Sequence, residues 1–233
     1  MAPVKLRELS QSFLHSLKHV LTVHRSSLLL LLLGVFLPLQ VFGELAEDVW
    51  EHQGGFPWDV PILLAIHKTA QPQLDVFVRY LTNFGVYWGV FPAAVAIAVV
   101  LLVRKQWHWL TYFIVALAGN AVLNQVTKVL LHRVRPHLWQ SPAPEFDYGF
   151  PSGHAMATMS LVATLSIMAG NTRWRWWIII LGGIFVVIIG WTRLYLGVHY
   201  PSDILAGWMA SLAWTIGVSL LIKPDRHRES RHF

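Results

Sequence analysis

Residues Thr192 to Asp203 read TRLYLGVHYPSD and lie between two long apolar runs, 176–192 and 204–222. Arg193, His199 and Asp203 therefore sit at the boundary of two segments that are each close to the roughly 20 apolar residues a helix needs to cross a bilayer. Ionisable groups beside hydrocarbon are costly, and where they persist they mark a candidate functional site. Working outward, further apolar runs occur at 27–42, 86–103, 109–131 and 155–169, which gives six predicted spans.

Composition supports this reading. Apolar residues make up 55% of the 233 and charged residues 13%, about half the charge content of an average soluble domain. The net charge of +6 comes from short basic clusters between apolar runs rather than one stripe, so a nucleic-acid partner is not expected. With no cysteine, disulfides, thiolate metal sites and thiol nucleophiles are excluded.

The expected fold is all-α: a polytopic membrane protein of six transmembrane helices. An amphipathic surface segment, 43–83, joins the first span to the second and carries Glu44, Glu47, Asp48, Glu51, Asp59 and Asp75. Apolar spacing in it predicts surface helices around 62–66 and 74–81. Three regions follow: a basic N-terminal segment at 1–26, the six-span unit at 27–222 and a basic tail at 223–233. The run at 27–42 is too long, and its basic flank too extended, for a signal-peptide core, so it is read as a retained span.

Basic residues fix the orientation, because short loops rich in Lys and Arg stay cytoplasmic. Lys5, Arg7, Lys18 and Arg25, the pairs Arg104/Lys105 and Arg173/Arg175, and Lys223, Arg226, Arg228 and Arg231 all fall on one side. Both termini are thus expected in the cytoplasm. By parity, the end of span three, the start of span four, the end of span five and the start of span six then face outward together.

Each of these four ends carries polar groups. Lys128 and Arg135 are seven residues apart and would share a face if the helix continued to Pro136. Ser152 precedes Gly153 and His154 as a predicted N-cap, at a helix start whose free N–H groups favour an anion. Pro201 suits the first turn of span six, so Asp203 lies close enough to orient His199. Glu145 and Asp147 are read as solvated loop residues, and the loop aromatics Phe146, Tyr148 and Phe150 as possible contacts for an apolar ligand. Each motif alone has an ordinary structural explanation: snorkelling, helix capping or a favourable dipole contact.

Together the three stretches resemble the signature of the type 2 phosphatidic acid phosphatase superfamily: Lys128, six residues, Arg135-Pro136; then Pro151-Ser152-Gly153-His154; then Arg193, five residues, His199, three residues, Asp203. One departure is Thr192, where that family usually has serine. The resemblance implies a membrane phosphatase acting on a lipid phosphate or pyrophosphate: phosphatidate, phosphatidylglycerol phosphate or a polyprenyl pyrophosphate. It implies that His199 is the nucleophile, that Asp203 orients it, and that His154 is the acid and base. Lys128, Arg135, Arg193, Ser152 and Gly153 would hold the phosphate. No cofactor or metal is expected, since three cations can offset the developing charge. The enzyme is expected in a bacterial inner membrane with its site on the extracytoplasmic face, and a bell-shaped pH profile should report His199 and His154. The competing reading is a non-catalytic transporter or binding protein for anionic lipids.

Overall fold

The structure, a computed structural model, describes residues 25–52 and 55–223. The expectations for the basic N-terminal segment up to residue 24 and for the tail beyond Lys223 lie outside the described residues. Within them every regular element is helical. The chain runs through α1 (Arg25–Leu31), a π-helical turn (Leu32–Phe36), α2 (Leu37–His52), α3 (Asp59–His67), α4 (Pro72–Asn83) and α5 (Val90–Val103). It continues through α6 (Trp107–Leu131), α7 (Gly153–Met168), α8 (Trp174–Tyr195) and α9 (Pro201–Ile222).

Among the described residues, four helical stretches are long and apolar enough to cross a membrane: Leu28–His52, Trp107–Leu131, Trp174–Tyr195 and Pro201–Ile222. The helices α5 and α7 are equally apolar but shorter, at 14 and 16 residues. At 1.5 Å per residue they fall short of the ~30 Å hydrocarbon thickness. The predicted span at 86–103 loses its first turn because the chain forms consecutive turns from Phe84 to Gly89 before α5 begins.

The surface of the bundle is apolar where a soluble protein would be polar. Val103, Val122, Val129, Leu181, Ile184 and Val187 are all exposed. Such a band is solvated by lipid, and the bundle is a membrane-embedded protein. Polar residues lie inside instead. Asn120 donates to the Met156 carbonyl, Ser211 donates to Asn120, and Ser160 lies against Thr215, which ties α6, α7 and α9 together. In hydrocarbon an unpaired group of this kind would cost several kcal/mol, so these bonds set the register of the helices.

Where the sequence suggested a first span ending at residue 42, the helix continues to His52. Its last turns are held because Leu45 and Val49 bury against Phe150 and Ala206. The remainder of the acidic segment forms α3 and α4, which pack on α8. In α4, Val78 and Thr82 face inward while Val76, Phe77 and Tyr80 stay exposed, as expected of a helix lying along a membrane surface. Tyr195 pins α4 to α8 by donating to Asp75 at 2.6 Å. The helices that carry the site, α7 and α9, approach closely at Gly207, where a Cβ would lie 3.0 Å from the Ser152 carbonyl oxygen. That contact holds the start of α7 beside the start of α9.

Candidate active site

Asn120, Asn124 and Lys128 are spaced four apart on α6, so all three face the bundle interior and all are buried. The helix stops at His132, which takes a left-handed conformation at φ 50° while its N–H closes back on the Lys128 carbonyl. This corrects the expectation that Arg135 continues the Lys128 face on a helix. Beyond the stop, side chains alternate: His132 and Val134 are exposed, Arg133 and Arg135 buried. The two arginines consequently enter the protein from one edge.

Arg135 reaches His199. Its Nη1 donates to the Val198 carbonyl at 2.7 Å and lies 2.9 Å from His199 Nε2. A guanidinium can only donate, so Nε2 must carry the lone pair and Nδ1 the hydrogen. His199 Nδ1 lies 3.4 Å from Asp203 Oδ2, an ion-pair distance without a well-formed hydrogen bond. Asp203 also accepts the Tyr200 N–H at 2.8 Å, closing the first turn of α9 behind Pro201. Burial pushes His199 well below the ordinary histidine value, and the nearby charges of Arg135, Arg193 and Lys128 push it further the same way.

Arg193 is buried near the end of α8, where its Nη1 donates to Thr82 Oγ1 at 2.8 Å. Thr192, the position that departs from the usual serine, bonds the Ile189 carbonyl and lies 3.1 Å from the same Thr82 oxygen. Ser152 stands at the N-cap of α7, but its hydroxyl caps nothing: Oγ is buried without a protein partner. Next to it, Gly153 leaves 3.3 Å between a notional Cβ and Asn124 Oδ1.

Glu145 and Asp147 do more than sit solvated in the loop: Asp147 is exposed as expected and Glu145 is partly buried, but both are ion-paired. Glu145 pairs with Arg193 and, at 2.7 Å, with Arg135. Asp147 pairs with Lys128 and, at 2.5 Å, with Arg135. Burial alone would raise Asp147, but the hydrogen bond from Lys128 and the charges of Arg135 and Lys128 outweigh it and hold it below the usual carboxylate value. Three cations buried at one point repel one another, and the loop closes over them because only carboxylates can offset that charge. Phe150 is likewise corrected: it is fully buried in the core against Phe42 rather than facing a ligand. Phe146, at 97% exposure, projects at the rim.

Lys128, Glu145, Asp147, Gly153, His154 and His199 form the polar end of one cavity of about 800 Å³. Its remaining wall is mostly apolar, with Val90, Phe91 and Ala94 from α5, Leu117 and Ala121 from α6, and Ala157 from α7. The arrangement brings His199, His154 and Lys128 to one end of a mostly apolar slot, with Arg135 beside His199 and Arg193 joined to Arg135 through Glu145. Residues missed in the sequence are Asp59, Thr82 and Arg133, all buried: Thr82 bonds Arg193, Arg133 bonds Asp203, and Asp59 bonds Arg133 and Ser202.

The protein is a membrane-embedded phosphatase, and the chain belongs to the PAP2 superfamily, whose family model matches residues 109–226. An undecaprenyl-diphosphatase of Sulfolobus acidocaldarius is 28% identical over 199 residues, covering 83% of this chain and 90% of that one. Phosphatidylglycerophosphatase B of Bacillus subtilis is 30% identical over 161 residues, covering 64% and 77%. The crystal structure of a transmembrane PAP2-type phosphatidylglycerolphosphate phosphatase from Bacillus subtilis superposes with a TM-score of 0.68 at 25% identity, over 84% of this chain and 98% of that one.

Proposed function

We propose that the protein hydrolyses the phosphomonoester or pyrophosphate of a membrane lipid through a phosphohistidine intermediate. The observation that carries this reading is the position of His199 Nε2. It holds its lone pair among Arg135, Arg193 and Lys128, at the polar end of a cavity whose remaining wall is mostly apolar.

Nε2 attacks phosphorus as the bond from phosphorus to the lipid oxygen breaks. The departing oxygen takes a proton from His154, and the phospho-imidazolium that forms keeps its Nδ1 hydrogen toward Asp203. His154, now neutral, takes a proton from water as the water oxygen attacks phosphorus and the bond from phosphorus to Nε2 breaks. The three cations, with the orphaned Ser152 hydroxyl and the Gly153 backbone, hold the phosphoryl oxygens and offset their developing charge. The three cations supply this charge without a metal.

With α5 and α7 read as short crossings, six crossings put both termini on one side of the membrane, which we take as the cytoplasm, with the site outside. This matches the distribution of basic residues. The apolar cavity between α5, α6 and α7 suits one lipid chain, while the phosphate stays at the membrane edge. The substrates of the named relatives make phosphatidylglycerol phosphate and a polyprenyl pyrophosphate the first candidates, with phosphatidate a third. Phosphate release by the purified protein, measured over these three lipids, tests the proposal. Binding of the lipids with no phosphate released would establish the transporter or binding reading instead.

A further inference from the structure

Asp203 is held from behind by a buried arginine that the phosphate site does not use. Arg133 has no exposed surface, and its Nη1 bonds Asp203 Oδ1 and, at 2.7 Å, Ser202 Oγ. Its Nη2 bonds Asp59 Oδ2 at 3.0 Å. Asp59 is also fully buried and accepts the Ser202 N–H at 2.9 Å and the Ser202 hydroxyl at 2.6 Å. The guanidinium lies over the Tyr200 ring, 4.6 Å from its centroid. Gly55, at φ +82°, lets the chain pass so close that a Cβ there would sit 3.0 Å from Arg133 Nη2.

A carboxylate can orient an imidazole only if its own plane is fixed. Asp203 Oδ2 faces His199 Nδ1 and accepts the Tyr200 N–H, so the second point that fixes the plane is the grip on Oδ1, and that grip is Arg133. Arg133 is in turn fixed by Asp59, which arrives from α3, a surface helix outside the three motifs. The network holds two carboxylates against one guanidinium, more charge than burial of Asp203 alone requires.

We infer that Asp59 is a positioning residue for phosphoryl transfer, acting through Arg133 to hold the Asp203 carboxylate against His199 Nδ1. The inference rests on His199 being the nucleophile. It makes α3 part of the catalytic apparatus, so the link between the first two spans is more than a tether.

The test is Asp59→Asn in the full-length protein. This variant keeps the shape and leaves Arg133 and Asp203 as a neutral pair. The turnover number should fall about 10- to 100-fold, less than the ~10⁴ lost when the orienting carboxylate of a catalytic triad is itself neutralised. The rise in melting temperature caused by orthovanadate, a phosphate mimic held by Lys128, Arg135 and Arg193, should be unchanged, and Asp59→Glu should recover part of the turnover. Unchanged turnover in Asp59→Asn overturns the inference. So does loss of turnover together with loss of the orthovanadate shift, or failure of both variants to fold, since either result makes Asp59 merely structural. Absence of phosphate release by the wild-type protein overturns the phosphatase reading itself, and is seen separately in the same assay.

Discussion

Arg135 Nη1 lies 2.9 Å from His199 Nε2, so the nitrogen proposed to attack phosphorus is paired with a cation. Phosphate must draw that guanidinium onto its own oxygens before the lone pair is free. The same contact fixes the tautomer and, with burial, keeps the imidazole uncharged.

The acid limb of the pH profile follows from this. His199 is pushed well below 6.5, first by burial and then by Arg135, Arg193 and Lys128. A base with a depressed value stays neutral as pH falls through the ordinary histidine range and is lost only below it. The acid limb of kcat/KM in the free enzyme should therefore have its midpoint below 6.5. A midpoint at or above 6.5 would count against the assignment.

The carboxylates that cover the cations compete with substrate phosphate. Glu145 touches both Arg135 and Arg193 and is 28% exposed. An ion pair of this partly solvated kind is worth up to ~1 kcal/mol, so Glu145→Gln should tighten inhibition by orthovanadate by about two- to fivefold. Weaker inhibition in the variant would instead make Glu145 part of the binding surface.

Thr82 holds Arg193 from α4. Thr82→Val removes the acceptor at nearly constant volume and leaves a buried guanidinium nitrogen without that partner. Bonds to charged groups contribute ~1.5–3 kcal/mol, so kcat/KM should fall about 10-fold or more. Steady-state kinetics check this, and unchanged kcat/KM would show that Glu145 alone positions Arg193.

Chelation separates a cation-based mechanism from a metal-based one. Among the described residues no group of three His, Asp or Glu side chains is placed to hold a metal ion. Turnover should be undiminished in EDTA. Failure there with rescue by Mg²⁺ would contradict the role given to Lys128, Arg135 and Arg193.

The sequence made the motif residues legible because each motif is local: spacing placed His199 near Asp203, and the parity of spans turned four helix ends toward one side. Partners brought together by folding were not legible. Ser202 and Asp59 are 143 residues apart, and Arg193 and Glu145 are 48 apart. No periodicity links such pairs. Arg133 carried only a faint signal, as a second arginine two residues before Arg135, and its separate role follows from the left-handed His132 that turns the helix into an extended edge. Glu145 and Asp147 looked like ordinary loop acids because the charge they offset is assembled from three distant segments. Helix lengths were misread where burial decides them, as in the turns of α2 held by Leu45 and Val49.

The central claim is a covalent bond between His199 and phosphorus. A lipid substrate labelled with ³²P in its terminal phosphate, quenched during turnover in alkaline detergent, measures that bond directly. The account predicts protein-bound label that is stable to base, released by acid, located on the peptide containing His199 and absent from His199→Ala. Full phosphate release by His199→Ala, or label retained in that variant, would contradict it.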